Sequence, residues 1–275
     1  MHLRKANELI EEIPSLLKKI EVEKPLIHHL TNFVVMNDTA NLTLTYKALP
    51  VMAHAEEEVE EMVGLAGALV LNPGTLTREW ITSMIKAGKK ANQIKVPIVL
   101  DPVGAGATRF RTESNLKIMQ EVSVSVLRGN PGELAALVGQ ESVVKGVESV
   151  GEISGLDSMV LNTSKFTGAV VAATGKRDIV SDGHKIVVID NGHNWMRTIT
   201  GTGCMATTAI ASFCSVTKDY FLATIAGLVT FEVAAEIAAY QALGPQSFKT
   251  ALFDALFNLK AVDIIDKSKV YYLEG

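Results

Sequence analysis

Between residues 51 and 174 the chain alternates short strand-like runs with longer segments whose apolar residues recur at helical spacing. The pairs are 68–71 with 77–94, 97–100 with 112–122, and 124–128 with 131–138. Strands joined in parallel need a crossover connection long enough for a helix, so this alternation predicts successive βαβ units and a parallel sheet. The runs at 68–71, 98–100 and 169–173 carry no polar residue on either face, as expected of strands covered by helices on both sides. After Thr174 the texture changes: 179–181 and 185–189 flank Asp182-Gly183 and predict an antiparallel hairpin with a tight turn. From 203 to 260 the pattern is almost entirely helical and rich in alanine, so the chain is expected to finish as a helical layer. The opening residues 1–20 alternate charge with apolar residues and read as a helix rather than a signal peptide. The fold class is α/β, three layers in αβα order around a mostly parallel central sheet.

With 275 residues, 48% of them hydrophobic, one such domain over 1–275 accommodates the chain, and no linker or repeat divides it. Lys and Arg number 26 against 30 Asp and Glu, a net charge of -4, and the basic residues are scattered, which argues against nucleic acid as a partner. The longest apolar stretch, 220–243, is broken by Gly227, Glu232 and Glu236. It reads as a buried helix with functional or solvent-facing acids, not a membrane span, and a cytoplasmic protein is expected. The two cysteines, Cys204 and Cys214, are too few for a disulfide framework and have no His or Cys neighbours at zinc spacing. Cys214 lies well off the helical face of Cys204 and reads as a small core residue.

In a parallel sheet, ligands bind beyond the carboxyl ends of the strands. There the sequence places Asn72-Pro73-Gly74-Thr75, Asp101-Pro102-Val103-Gly104-Ala105-Gly106, Arg128-Gly129-Asn130-Pro131-Gly132-Glu133 and Thr174-Gly175. Thr200-Gly201-Thr202-Gly203-Cys204-Met205 leads directly into the alanine-rich helix. Free N–H groups at that helix start would face a bound anion, with the macrodipole behind them; a plain glycine turn into a buried helix accounts for the same residues equally well. No Gly-x4-Gly-Lys-Ser/Thr occurs, and a dinucleotide fingerprint begun at Gly104 and Gly106 would need its third glycine at Arg109.

Six collinear segments between about 25 and 247 together carry a family resemblance. They are His28-x-x-Thr31-Asn32-x-Val34-x-x-Asn37, the run from Pro50 through Met52 to Glu57, Leu71-Asn72-x-Gly74-Thr75, the run from Asp101 to Thr108, Arg128-Gly129-Asn130-x-x-Glu133, and Thr200-Gly201-x-Gly203-Cys204. On these the chain resembles the hydroxyethylthiazole kinases, of the ribokinase-like fold. The resemblance implies phosphorylation of the hydroxyl of 4-methyl-5-(2-hydroxyethyl)thiazole by MgATP, and a homotrimer with active sites between subunits. It implies that Asn32, Met52 and Gly201 contact the thiazole, that Arg128 and Thr174 contact ATP, and that Asp101 and Glu133 hold Mg²⁺, partly through water. Gly201, Gly203 and Cys204 would form the catalytic turn. Alone, Asp101 also suits a turn before Pro102, and Glu133 the first turn of a helix.

Cys204 stands where many relatives of the fold carry an aspartate that accepts the alcohol proton, so it is either a base or a packed orienting group. The segment 45–48 stands where relatives commonly carry a glycine, and Phe33 replaces a second asparagine. His28, His29 and His54 have no nucleophile or metal partner in the pattern and read as polar packing residues; His184 and His193 read as surface loop residues. The acids at 56–58, 60 and 61 read as a solvated helix start. Three rivals share some of these features. Hydroxymethylpyrimidine kinases also carry Gly-Thr-Gly-Cys but fit Thr31-Asn32 and the Asp101 segment poorly. ADP/ATP-dependent dehydratases of damaged nicotinamide cofactors want aspartate at position 204. A non-catalytic vitamin-binding protein would explain a pocket but not both a metal pair and an anion hole.

Overall fold

The apolar runs lie side by side in a ten-stranded sheet of order β1-β10-β9-β8-β7-β6-β5-β4-β2-β3. The structure, a computed structural model, describes residues 2–138 and 155–274. Its strands are β1 (His2–Lys5), β2 (Leu26–Leu30), β3 (Leu49–Val51), β4 (Ala68–Leu71), β5 (Ile98–Leu100), β6 (Val126–Gly129), β7 (Val170–Ala173), β8 (Asp178–Ser181), β9 (Ile186–Ile189) and β10 (Val270–Glu274). The helices are α1 (Asn7–Glu23), α2 (Met36–Thr45), α3 (Val59–Leu65), α4 (Arg78–Ile94), α5 (Arg109–Glu121), α6 (Pro131–Val138), α7 (Leu156–Thr167), α8 (Thr202–Cys214), α9 (Tyr220–Ala239), α10 (Pro245–Phe257) and α11 (Ala261–Lys267). Pairing is parallel from β3 through β7 and antiparallel from β7 to β1.

Alternation along each strand divides the core in two. Val70, Val99 and Val126 face the cluster built by α1, α8, α9 and α10, whereas Leu69, Leu71, Ile98, Leu100 and Leu127 face the cluster of α3 to α7. The expected three layers are therefore present, with the hairpin at 178–189 turning through Gly183 (φ 86°), where Asp182 accepts the N–H groups of His184 and Lys185. Helix α9 is the long apolar segment, buried inside the protein along most of its length. It lies so close to α8 that a Cβ on Gly227 would sit 2.6 Å from the Ile210 nitrogen.

Two expectations are corrected at the chain ends. Residues 2–5 form a strand before α1 rather than the start of a helix, and 270–274 return to the sheet after the helical layer. The two pair antiparallel, His2 opposite Glu274, and β10 also pairs with β9, so the edge strand β1 exists because β10 supplies its ladder.

Helix α4 ends at Lys95 in the left-handed region (φ 61°), its N–H satisfying the carbonyls of Ala91 and Asn92. A Cβ there costs roughly 1 kcal/mol, partly offset by the greater chain entropy of glycine. Lys95→Gly is expected to stabilise the protein by about 0.5 kcal/mol, read as a raised urea midpoint at unchanged m-value.

Candidate active site

The residues quoted at the strand ends form a continuous polar row, joined by hydrogen bonds and one ion pair, that follows the strand order of the sheet. Asn32, after β2, donates through Nδ2 to Oδ1 of Asn72, after β4, at 2.9 Å. Asn72 donates in turn to Oδ2 of Asp101, after β5, at 3.1 Å. The other oxygen of Asp101 faces Nη1 of Arg128, on β6, at 3.5 Å, and Nη2 of Arg128 donates to Oγ1 of Thr174, after β7. Five adjacent strands thus place one polar group each on a common edge, as a parallel sheet with short connections allows.

Helix α8 sits over this row. Its N-cap, Gly201, has φ 85°, and a Cβ there would lie 2.5 Å from Val35. Gly203, in the first turn, leaves room for Arg128: a Cβ would fall 2.6 Å from Nη1. Gly201 is fixed by its backbone and by Val35, and a side chain at Gly203 would displace the end of Arg128, so the segment is more than a flexible entry to the helix. Thr207, one turn further on, donates to Oδ2 of Asp101 at 2.9 Å. Cys204 accepts from Nδ2 of Asn72 at 3.1 Å and has Nδ2 of Asn32 at 3.7 Å. Burial first, and then the negative charge of Asp101, push the thiol up to about 12; the amide of Asn72 works in the opposite direction without prevailing. Burial and the Asp101 charge both favour the neutral thiol over a thiolate.

Asp101 is fully buried, and its carboxyl is raised to about 6, chiefly by burial, against the pull of Arg128 and with a push from Glu133. Its Oδ1 has no hydrogen-bond partner. Glu133 receives the Gly104 N–H at Oε1 and the Asn130 N–H at Oε2, both 2.9 Å, and so also ties two strand-end loops together. An unpartnered carboxylate oxygen beside a second acid suits a hard divalent cation that keeps most of its water. Among the described residues no three Asp, Glu, His or Cys side chains cluster, so water and ligand phosphate would have to complete such a shell.

Next to Arg128 opens a cavity of about 410 Å³ lined by Thr174, Gly175, Asp178, Gly192, His193 and Glu232, among others. Met52 lies half-buried just past β3, one strand beyond Asn32, and no hydrogen bond joins it to the row. The histidines are packing residues, on a strand rather than in loops for His28 and His29, which meet the Ala53 carbonyl and the Thr43 hydroxyl. Burial lowers His29 to about 3, keeping it neutral. His184 and His193 are exposed, and Cys214 is buried in the core as expected.

Several contributors escaped sequence reasoning. Thr207 carries no signal within the alanine-rich helix, and nothing in the sequence pairs Asn72 with Asp101. Arg111, on α5, donates to the carbonyls of Pro73, Gly74 and Val103, fixing two loops at once. Its only prior signal was a cation near glycine-rich strand ends. Asp178 gave none, opening a strand as any solvated residue could.

A mostly parallel sheet between two helical layers, with a glycine-bearing helix start above a carboxylate–guanidinium row, places the chain in the ribokinase-like class. The family model "Hydroxyethylthiazole kinase family" matches residues 17–262. The chain belongs to the hydroxyethylthiazole kinase family. It is 54% identical over 254 residues to hydroxyethylthiazole kinase of Chloroflexus aggregans, covering 92% of this chain and 91% of that one. It is 51% identical to the Chloroflexus aurantiacus enzyme, over 97% of this chain and 99% of the other. The solved hydroxyethylthiazole kinase protein of Pyrococcus horikoshii superposes with a TM-score of 0.88 at 44% identity, covering 95% of this chain and 99% of that one.

Because the folded state raises the Asp101 pKa from 3.8 to about 6, its contribution to stability is fully present below about pH 3.8 and is lost as pH rises through 6. In metal-free buffer at pH 8, Asp101→Asn is therefore expected to be more stable than the parent, by on the order of 2 kcal/mol. The difference should close as pH falls through 6 and 4, which thermal unfolding across that range checks.

Proposed function

We propose that this chain transfers the γ-phosphoryl group of ATP to the hydroxyl of 4-methyl-5-(2-hydroxyethyl)thiazole, a step of thiamine salvage. The observation that carries the reading is the row from Asn32 to Thr174 beneath the start of α8, in a chain of this family. Phosphoryl transfer asks a protein chiefly to hold two reactants in line and to neutralise charge on the moving group. In this reading Arg128 and Thr174 hold the phosphates from the cavity side, and the N–H groups at the start of α8 face the transferred group. Asn32, Met52 and Gly201 hold the thiazole on the other side of Cys204. Asp101 and Glu133 hold Mg²⁺, largely through water, and the bound ion would offset charge on the phosphate oxygens.

Cys204 acts here as an orienting group. A thiol held near 12 is a poor acceptor for the alcohol proton, and a loose transition state develops little need for one before the phosphoryl group has moved. A homotrimer is part of the proposal: Phe33 and Val34, beside Asn32, are 64% and 61% exposed, and a neighbouring copy seated there would close the thiazole side. The enzyme would work in the cytoplasm, where ATP is supplied.

Coupled ADP release with MgATP is expected on the thiazole and not on hydroxymethylpyrimidine; turnover on the pyrimidine alone would transfer the reading to its kinase. Cys204→Ala should retain kcat to within about tenfold, whereas Arg128→Ala should lose at least about a hundredfold in kcat/KM. A much larger loss in Cys204→Ala would restore the base. Sedimentation at micromolar concentration is expected to give a trimer, and a monomer would remove the shared site.

A further inference from the structure

Helix α9 is buried and apolar, yet it carries two acids one turn apart, Glu232 and Glu236. An ionised carboxylate taken out of water needs hydrogen bonds or a cation to hold it there. Glu236 has them: Oε1 accepts from Asn191 Nδ2 at 3.1 Å, the Gly192 N–H at 3.0 Å and Lys269 Nζ at 3.0 Å. Glu232 is 6% exposed, and its Oε2 has no partner. Its neighbour is Asp178, 3% exposed, whose Oδ1 accepts the Gly175 N–H at 2.9 Å and whose Oδ2 likewise has no partner. Asp178 opens β8, which packs against α9, so the two buried carboxyl groups are neighbours across that contact. Both line the cavity beside Arg128, and Glu232 packs beneath Gly192, where an added Cβ would meet its Cδ at 3.8 Å.

Two buried carboxylates side by side repel if both are ionised, and one proton between them removes the repulsion and satisfies both unpartnered oxygens. We propose that Asp178 and Glu232 share a single proton and act as a positioning pair. The pair ties the Thr174-Gly175 loop, held through Asp178, to the Asn191-Gly192 loop, held through α9. The cavity between these loops is the one assigned above to the nucleotide, and the proposal rests on that assignment. Arg128 faces the pair from β6, and Glu236 adds negative charge from α9. Arg128 acts on both members of the pair, Glu236 on Glu232.

Three measurements on the 275-residue chain test this. At pH 8 the infrared spectrum should contain the C=O stretch of a protonated carboxyl, shifting in D₂O and lost in both Glu232→Gln and Asp178→Asn. Titration with ADP should give an affinity within about threefold of the parent for Glu232→Gln, whose amide can donate to Asp178, but at least about tenfold weaker for Glu232→Leu. The KM for the thiazole should move less than about threefold in either variant. Absence of the band in the parent, or its survival in both conservative variants, overturns the proposal. So does ADP binding by Glu232→Leu that matches the parent. Arg128→Ala separates the two levels: if it loses ADP while Glu232→Leu does not, the pair fails and the nucleotide cavity stands. If neither loses ADP, the cavity assignment fails and takes the pair with it. Should Glu232→Leu not fold, the band and its loss in the conservative variants decide.

Discussion

A guanidinium cannot give up its charge, so burying Arg128 at the end of β6 obliges its neighbours to supply acceptors and space. Asp101 faces it from β5, Thr174 accepts from it on the β7 side, and Gly203 removes the side chain that would collide with it from above. Asp101, held there, needs donors of its own and finds them in Asn72 and Thr207. Asn72 then fixes both Asn32 and the sulfur of Cys204. Read outward from the guanidinium, the polar row is one consequence after another of a single buried charge.

That row depends on the apolar layers for its precision. Strands β4, β5 and β7 are fully buried, which fixes their register and hence the height at which each terminal polar group emerges. Helix α8 is held from behind by α9 at the contact of Gly227 with Ile210, so its N-terminal turn cannot drift from the sheet edge. Arg111 braces the loops after β4 and β5 from the opposite layer. The site is thus clamped from both faces of the sheet, by elements whose own positions are set by hydrophobic burial.

Much of the fold could be read from the sequence because its strands are locally distinctive. The runs 68–71 and 131–138 coincide with β4 and α6, and Asp182-Gly183 makes the hairpin turn. The edge strands were not legible: His2–Lys5 is exposed throughout and becomes a strand only by pairing with residues some 270 positions away. Strand β2, Leu-Ile-His-His-Leu, hid behind two histidines whose partners, Ala53 and Thr43, are set by tertiary contact. In the segment 45–48, where the resembled family commonly carries glycine, Lys47 adopts φ 68°. The departure is therefore a matter of backbone conformation as well as pocket chemistry. For the site, strand-end residues could be named in advance, whereas Thr207, Arg111 and the Asp178–Glu232 pair could not, because their meaning lies in who faces them across the fold.

The charges that the side chains place at this edge are imperfectly matched. Asp101 is raised despite Arg128 at 3.5 Å, Cys204 is raised further by Asp101, and the Asp101 oxygen that faces Arg128 accepts no hydrogen bond. Such groups cost stability in the free protein and are tolerated only where the surrounding core over-determines the geometry. In the proposed reading, a metal-bound nucleotide brings what the row lacks: positive charge beside Asp101 and negative charge beside Arg128 and the start of α8. The mismatch is then part of the binding energy, since an edge already fully satisfied by its own side chains would gain little from a polyanion and its cation.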